Sequence, residues 1–177
     1  MSKSMKPSQR RWLVTGASRG LGHAIATLAH ERGDKVCFVA RSPDIAELAA
    51  ALGPDALGVQ ADVSSADDLA GAVATMVERW GGVDVLVNNA AFVGTTGLDG
   101  WAVKPESQNL DAWRRAVEVN LTSVFHLSQK LLPEIRKKAN GCIVNIASIY
   151  GSYGPDWSLY EGTHMSNPAA YGASKGG

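Results

Sequence analysis

Trp12-Leu13-Val14-Thr15-Gly16-Ala17-Ser18-Arg19-Gly20-Leu21-Gly22 decides how the rest of the chain is read. A short run of strand-forming residues passes directly into a glycine turn, and from Gly22 to Arg32 apolar residues recur at helical spacing. Glycines at such a junction permit a tight turn and close backbone approach to a ligand. The free N–H groups of the helix that follows then face a pyrophosphate. Gly16, Ala17, Ser18, Arg19, Gly20, Leu21 and Gly22 are therefore expected to cradle the phosphates of a nucleotide. Three residues separate the first two glycines and one separates the last two, a variant of the G-x-G-x-x-G spacing.

The same alternation continues outward. Residues 36–40, 57–61, 83–87 and 142–147 are short and rich in Val, Leu and Ile, apolar on both faces as buried parallel strands require. Residues 45–52, 66–80 and 111–138 carry apolar side chains at helical spacing. Ser65 and Asp111 read as N-caps, and Gly33 stands where a helix should end. The expected architecture is α/β, a doubly wound, Rossmann-like parallel sheet covered by helices on both sides. It forms one domain over residues 11–177, preceded by a disordered polar tail over residues 1–10.

Composition narrows the function classes. The 177 residues carry 17 basic and 17 acidic side chains, so no net charge draws the chain to nucleic acid or to an anionic membrane. The first residues are polar and basic with no apolar stretch behind them, unlike a signal peptide, and no apolar run is long enough to span a bilayer. The two cysteines, Cys37 and Cys142, are expected to be buried reduced thiols in a cytoplasmic protein.

Further polar residues fall at the ends of the expected strands. Asp62-Val63 closes the third, Asn88-Asn89-Ala90 closes the fourth, Asn120 lies in the long helix, and Ser148 follows the fifth. Tyr171 and Lys175 then stand in Tyr-Gly-Ala-Ser-Lys, one helical turn apart and so on one helix face. Asn167-Pro168 before them suits an N-cap and a first helical position. Singly each has a structural use: Asp62 as a cap, Asn120 as a surface amide, Ser148 as a turn hydroxyl. Taken together in this order, they make residues 11–177 resemble the short-chain dehydrogenase/reductase family.

The resemblance implies alcohol–carbonyl interconversion on a small molecule, with a nicotinamide cofactor carrying the redox step and no metal. Tyr171 would exchange the proton with the substrate oxygen, and Ser148 would hydrogen-bond that oxygen. Lys175 would hold the nicotinamide ribose and, as an ammonium beside a phenol, favour the phenolate. Tyr171 and Lys175 thus belong to both the catalytic and the cofactor set. Asn120 would fix a water linking Lys175 to solvent. Asp62 and Val63 would meet the adenine, with Asn89 and Ala90 packing against the adenosine; Ala91 stands where the family more often has glycine. The second strand ends in Arg41, not in the carboxylate that accepts from a ribose 2′-hydroxyl. Arg41 and Arg19 can instead pair with a 2′-phosphate, so NADP(H) is expected over NAD(H).

Two departures remain. The connection from Ser148 to Tyr171 is longer than usual and carries Trp157, Glu161 and His164, an extended substrate-side loop suited to a sugar or polyol, as in gluconate-type reductases. A 3-oxoacyl thioester fits the core motifs equally well. The chain also stops shortly after Lys175, before the family's remaining strands. The expected consequences are an exposed apolar edge on the strand over residues 142–147, a fraying last helix and a poorly fixed Lys175. Little activity is then expected of the chain alone, and homo-oligomerisation of a full-length protein. The competing expectation is a nucleotide-binding remnant without catalysis.

Overall fold

The five apolar runs pair side by side in one parallel sheet: β1 (Arg11–Thr15), β2 (Lys35–Ala40), β3 (Ala56–Gln60), β4 (Val85–Asn88) and β5 (Cys142–Asn145), in the order β3-β2-β1-β4-β5. This computed structural model describes residues 9–94, 98–138 and 140–177. The helices are α1 (Gly20–Glu31), α2 (Ile45–Ala50), α3 (Ala66–Trp80), α4 (Leu110–Val117), α5 (Ser123–Arg136) and α6 (Ala169–Gly176). No described helix is long and apolar enough to cross a membrane.

Successive strand residues point to opposite faces. Leu13, Cys37 and Leu86 join one core with Leu69 and Met76 of α3 and Leu127 and Leu131 of α5. Val14, Phe38 and Val85 join the other with Ala26 of α1 and Ile45 and Ala49 of α2. Covering both faces is what makes these strands read as continuous apolar runs. Phe38 is wholly buried, a burial worth about 1.5–3 kcal/mol. The strand order reverses between β1 and β4, and in such sheets a crevice opens at the carboxyl ends of the strands there.

β5 departs from the buried-strand expectation. Among the described residues it pairs only with β4, and Val144 is 38% exposed. The exposed apolar edge is therefore present, and Cys142, expected to be buried, is exposed because it lies on that edge. Cys37, in the middle of the sheet, is buried as expected, and both thiols are free.

The helix boundaries follow local chemistry. Ser65 caps α3 by accepting from Asp68 N at 3.2 Å, and Gly33 follows α1 with a φ of +89°. Asp111 is not a cap: the helix begins one residue earlier, and Asn109 Oδ1 accepts from Ala112 N at 2.8 Å. Asp111 instead lies in the first turn and pairs with Arg114 at 3.2 Å. The expected single helix over residues 111–138 is α4 and α5 joined through a π-helical turn, Glu118–Thr122.

Of the expected tail, residues 1–8 lie outside the described residues. Gln9 and Arg10 are tied to the fold: Gln9 Nε2 donates to Gly33 O at 2.8 Å, and Arg10 N donates to Asp34 at 2.9 Å. At the same end of the sheet, Arg11 grips Asp84 through Nε at 2.8 Å and Nη2 at 2.7 Å. The side chains are only 12% and 11% exposed. The guanidinium, helped by the Arg11 backbone N–H, outweighs burial and holds the Asp84 carboxyl below its ordinary pKa.

Candidate active site

The glycine loop is held from two sides. Gly16 has a φ of +66°, and a Cβ there would stand 2.9 Å from Ala90 Cα, so both conformation and space require glycine. Gly22 has no room for a Cβ because the Gly16 carbonyl oxygen would lie 2.5 Å away. Asn89 is the clamp: its Nδ2 donates to Thr15 O at 2.9 Å and to Gly16 O at 3.3 Å. Thr15 Oγ1 accepts from both Asn89 N and Ala90 N at 3.0 Å, joining the ends of β1 and β4. Ala17 is fully buried beneath the loop, and its N–H donates to Val39 O at 3.2 Å. Arg19 stands in extended conformation at the N-cap of α1, whose first turn contains no acid. Its unpaired N–H groups form an anion-binding end.

These elements border one cleft of about 860 Å³. Gly16, Ser18, Arg19, Gly20 and Leu21 form one wall; Arg41, Asp62 and Val63 come from the ends of β2 and β3, and Asn89 and Ala90 from the end of β4. Arg41 Nη1 lies 3.8 Å from Asp62 Oδ2, with 64% of the Arg41 side chain exposed. That contact is weak enough for a stronger anion to replace it. Ser64 fixes the other Asp62 oxygen through its N–H at 2.9 Å and its hydroxyl at 2.6 Å. Burial works against the Asp62 carboxylate, but the Ser64 hydrogen bonds and the charges of Arg41 and Arg115 outweigh it and lower its pKa. Of the residues expected at the nucleotide, Gly16, Ser18, Arg19, Gly20, Leu21, Arg41, Asp62, Val63, Asn89 and Ala90 border this cleft, whereas Ala17, Gly22, Tyr171 and Lys175 do not.

Asn120 in the turn Glu118–Thr122, Ser148 just beyond β5, and Tyr171 and Lys175 on α6 do not line that cleft. Asn120 sits in the π-helical turn and is buried. Its Oδ1 accepts from Phe92 N at 2.6 Å, while Nδ2 donates to Phe92 O at 3.1 Å and to Ser174 Oγ at 3.0 Å. It thereby joins the cleft wall to α6. Ser148 Oγ accepts from Tyr150 N at 3.3 Å and opens the turn Ile149–Gly151. That turn packs directly on α6: a Cβ on Gly151 would meet the Lys175 carbonyl oxygen at 2.5 Å.

Lys175, expected to be poorly fixed, donates from Nζ to Ile146 O at 2.7 Å. Burial lowers its pKa. The last helix is short, but Ala170 and Ser174 are buried in it. Such tertiary packing, not length, holds a helix of this size. Nor does Asn167 cap it: Asn167 is buried, with Nδ2 donating to Tyr160 Oη at 3.3 Å. Gln108 serves instead, its Oε1 accepting from Ala169 N at 2.9 Å and its Nε2 donating to Asn167 O at 3.1 Å.

Thr15, Gln108, Phe92 and Arg115 thus belong to the site region without having been singled out from sequence. Thr15 had a local signal, a hydroxyl at the strand end just before the glycines. Gln108 had none, being 61 residues from its partner. In the long connection, Tyr153, Trp157 and Leu159 are exposed at 75%, 48% and 71%, and Glu161 and His164 are exposed as well.

Residues 10–177 match the family model for short chain dehydrogenase. The chain is 37% identical over 143 residues to the 3-oxoacyl-(acyl-carrier-protein) reductase FabG of Vibrio cholerae, covering 80% of this chain and 56% of that protein. It is 35% identical over 157 residues to the corresponding reductase of Staphylococcus aureus, covering 85% and 61%. The crystal structure of the KRED1-Pglu enzyme superposes with a TM-score of 0.80 at 30% identity, over 95% of this chain and 64% of that one. A short-chain dehydrogenase from Streptomyces avermitilis gives 0.80 at 32%, over 97% and 57%. The chain therefore spans little more than half the length of the curated relatives it matches, and it belongs to the short-chain dehydrogenase family.

Proposed function

We propose that this chain carries the dinucleotide site and the proton-handling residues of an NADP(H)-dependent reductase that interconverts a secondary alcohol and a ketone. The observation that carries the reading is the convergence of the glycine loop, Arg41, Asp62 and Asn89 on one cleft. The residues suit the cofactor: the acid-free N-terminus of α1 receives the pyrophosphate, Arg19 and Arg41 a 2′-phosphate, and Asp62, Val63, Asn89 and Ala90 the adenosine. Bound there, the nicotinamide supplies or accepts the hydride. Tyr171 passes the proton to or from the substrate oxygen, Ser148 orients that oxygen, and Lys175 supports the Tyr171 phenolate from one helical turn away. Asn120 positions α6 through Ser174.

The substrate classes that suit the site are a 3-oxoacyl thioester, the printed substrate of the FabG relatives, and a sugar or polyol, which suits the aromatic and polar connection after Ser148. A full-length protein would work as a homo-oligomer in the cytoplasm. A second reading, nucleotide binding without turnover, is favoured by one observation: Ser148, Tyr171 and Lys175 do not line the cleft.

Titration of the purified chain with NADPH and NADH, followed by cofactor fluorescence, tests the reading. NADPH should bind more tightly, and Arg41→Asp should weaken it about 10- to 100-fold, as loss of a charge-assisted contact predicts, while NADH changes little. Absence of binding to either cofactor overturns the proposal. Binding without reduction of an added ketone selects the second reading.

A further inference from the structure

Three arginines, Arg19, Arg41 and Arg115, and a single acid, Asp62, border the cleft. Arg115 projects from α4, one helical turn before Val119, and both residues line the cleft. Its neighbour Arg114 is paired with Asp111, but Arg115 has no carboxylate within 4.0 Å among the described residues. Its guanidinium instead lies over the Phe92 ring, 4.9 Å from the ring centre.

That ring is a fixed platform. Phe92 meets Trp101 edge-on at 4.8 Å, and Trp101 is only 3% exposed. Asn120 holds both the N–H and the carbonyl of Phe92. Asp62, also in the lining, is close enough for the Arg115 charge to help stabilise its carboxylate. The planar guanidinium thus borders the cleft near Asp62, with Val63, Ala90 and Val119 packed together in the same lining.

We infer that Arg115, carried on the Phe92 platform, lies over the adenine ring of the dinucleotide and closes the base end of the cleft. This rests on the nucleotide reading of the cleft given above. A guanidinium stacks well on a flat aromatic face, and the adenine is common to NADP(H) and NAD(H). Arg115 thus adds affinity without choosing between the cofactors, whereas Arg41, read above as the partner of the 2′-phosphate, makes the choice.

The test is fluorescence titration of the chain and of Arg115→Ala, Arg115→Lys and Phe92→Leu with NADPH and with NADH. Arg115→Ala should weaken both cofactors alike, about three- to fivefold, as a partly exposed cation–π contact predicts, leaving their ratio unchanged. Arg115→Lys keeps the charge but loses the plane, and should recover less than half of the loss. Phe92→Leu should cost a similar factor, and combining it with Arg115→Ala should add little further loss. Unchanged binding in Arg115→Ala, a loss confined to NADPH, or full recovery with lysine would each overturn the inference. Failure of the unsubstituted chain to bind either cofactor would instead overturn the nucleotide reading on which it rests.

Discussion

Replacing Gly22 with alanine places a methyl group where the glycine loop and the Asn89 amide already stand. The added Cβ would come within 2.5 Å of the Gly16 carbonyl oxygen, inside the 3.0 Å limit that real Cβ contacts essentially never cross. Neither neighbour can yield cheaply, because Asn89 Nδ2 holds the carbonyls of Thr15 and Gly16. Overpacking of this kind costs about 1–3 kcal/mol, while alanine's better helix propensity returns about 0.8–1.0 kcal/mol. The net expectation is a loss of up to about 2 kcal/mol, or up to roughly 8 °C in Tm for a chain of this size. Gly71 supplies the control: it is exposed on α3, and a Cβ there meets nothing within 4 Å. Gly71→Ala should therefore stabilise by about 0.5–1 kcal/mol through propensity alone. Urea unfolding followed by far-UV circular dichroism measures both, and the two variants should move in opposite directions. Stabilisation by both would refute the close approach of loop, helix and Asn89.

Asp84→Asn should cost about 3 kcal/mol, because Arg11 is left without its carboxylate in a nearly buried position. Since the folded carboxyl titrates below its ordinary value of 3.8, its stabilisation is complete above that value and is lost as pH falls through the folded pKa. Urea midpoints from about pH 2 to 6 should rise more steeply in the unsubstituted chain than in the variant; equal slopes would disprove the assignment. In the native chain, iodoacetamide should modify the exposed Cys142 and spare Cys37, whose thiol burial pushes up to about 12. Mass spectrometry after brief labelling should find the second adduct only once denaturant is added, and rapid native labelling of both thiols would contradict the buried placement.

The fold was legible because its causes are local or periodic. Strands covered on both faces leave unbroken apolar runs, and helices leave a periodic stripe, so the five strands and the helices could be located from residue order alone. Ser65 and Gly33 act within one turn of their own positions. Asn109 escaped notice because two residues at that boundary could cap, and the starting point of the helix decides between them. Burial of Cys142 depended on what lies beside β5, which no residue within the strand records.

At the site, the sequence by itself determined the glycine loop, the order of polar residues at the strand ends, and the Tyr171–Lys175 spacing, because each is written in contiguous residues. Only the tertiary structure decided which of these share a cleft. It also revealed the Asn89 clamp on the loop, Gln108 at the start of α6, Asn120 between Phe92 and Ser174, and Lys175 on the Ile146 carbonyl. Each of these contacts spans 28 to 74 residues of chain. The physical reason is that such hydrogen bonds form only after the sheet and helices have packed, so their partners are chosen by position in space and not by neighbours in sequence.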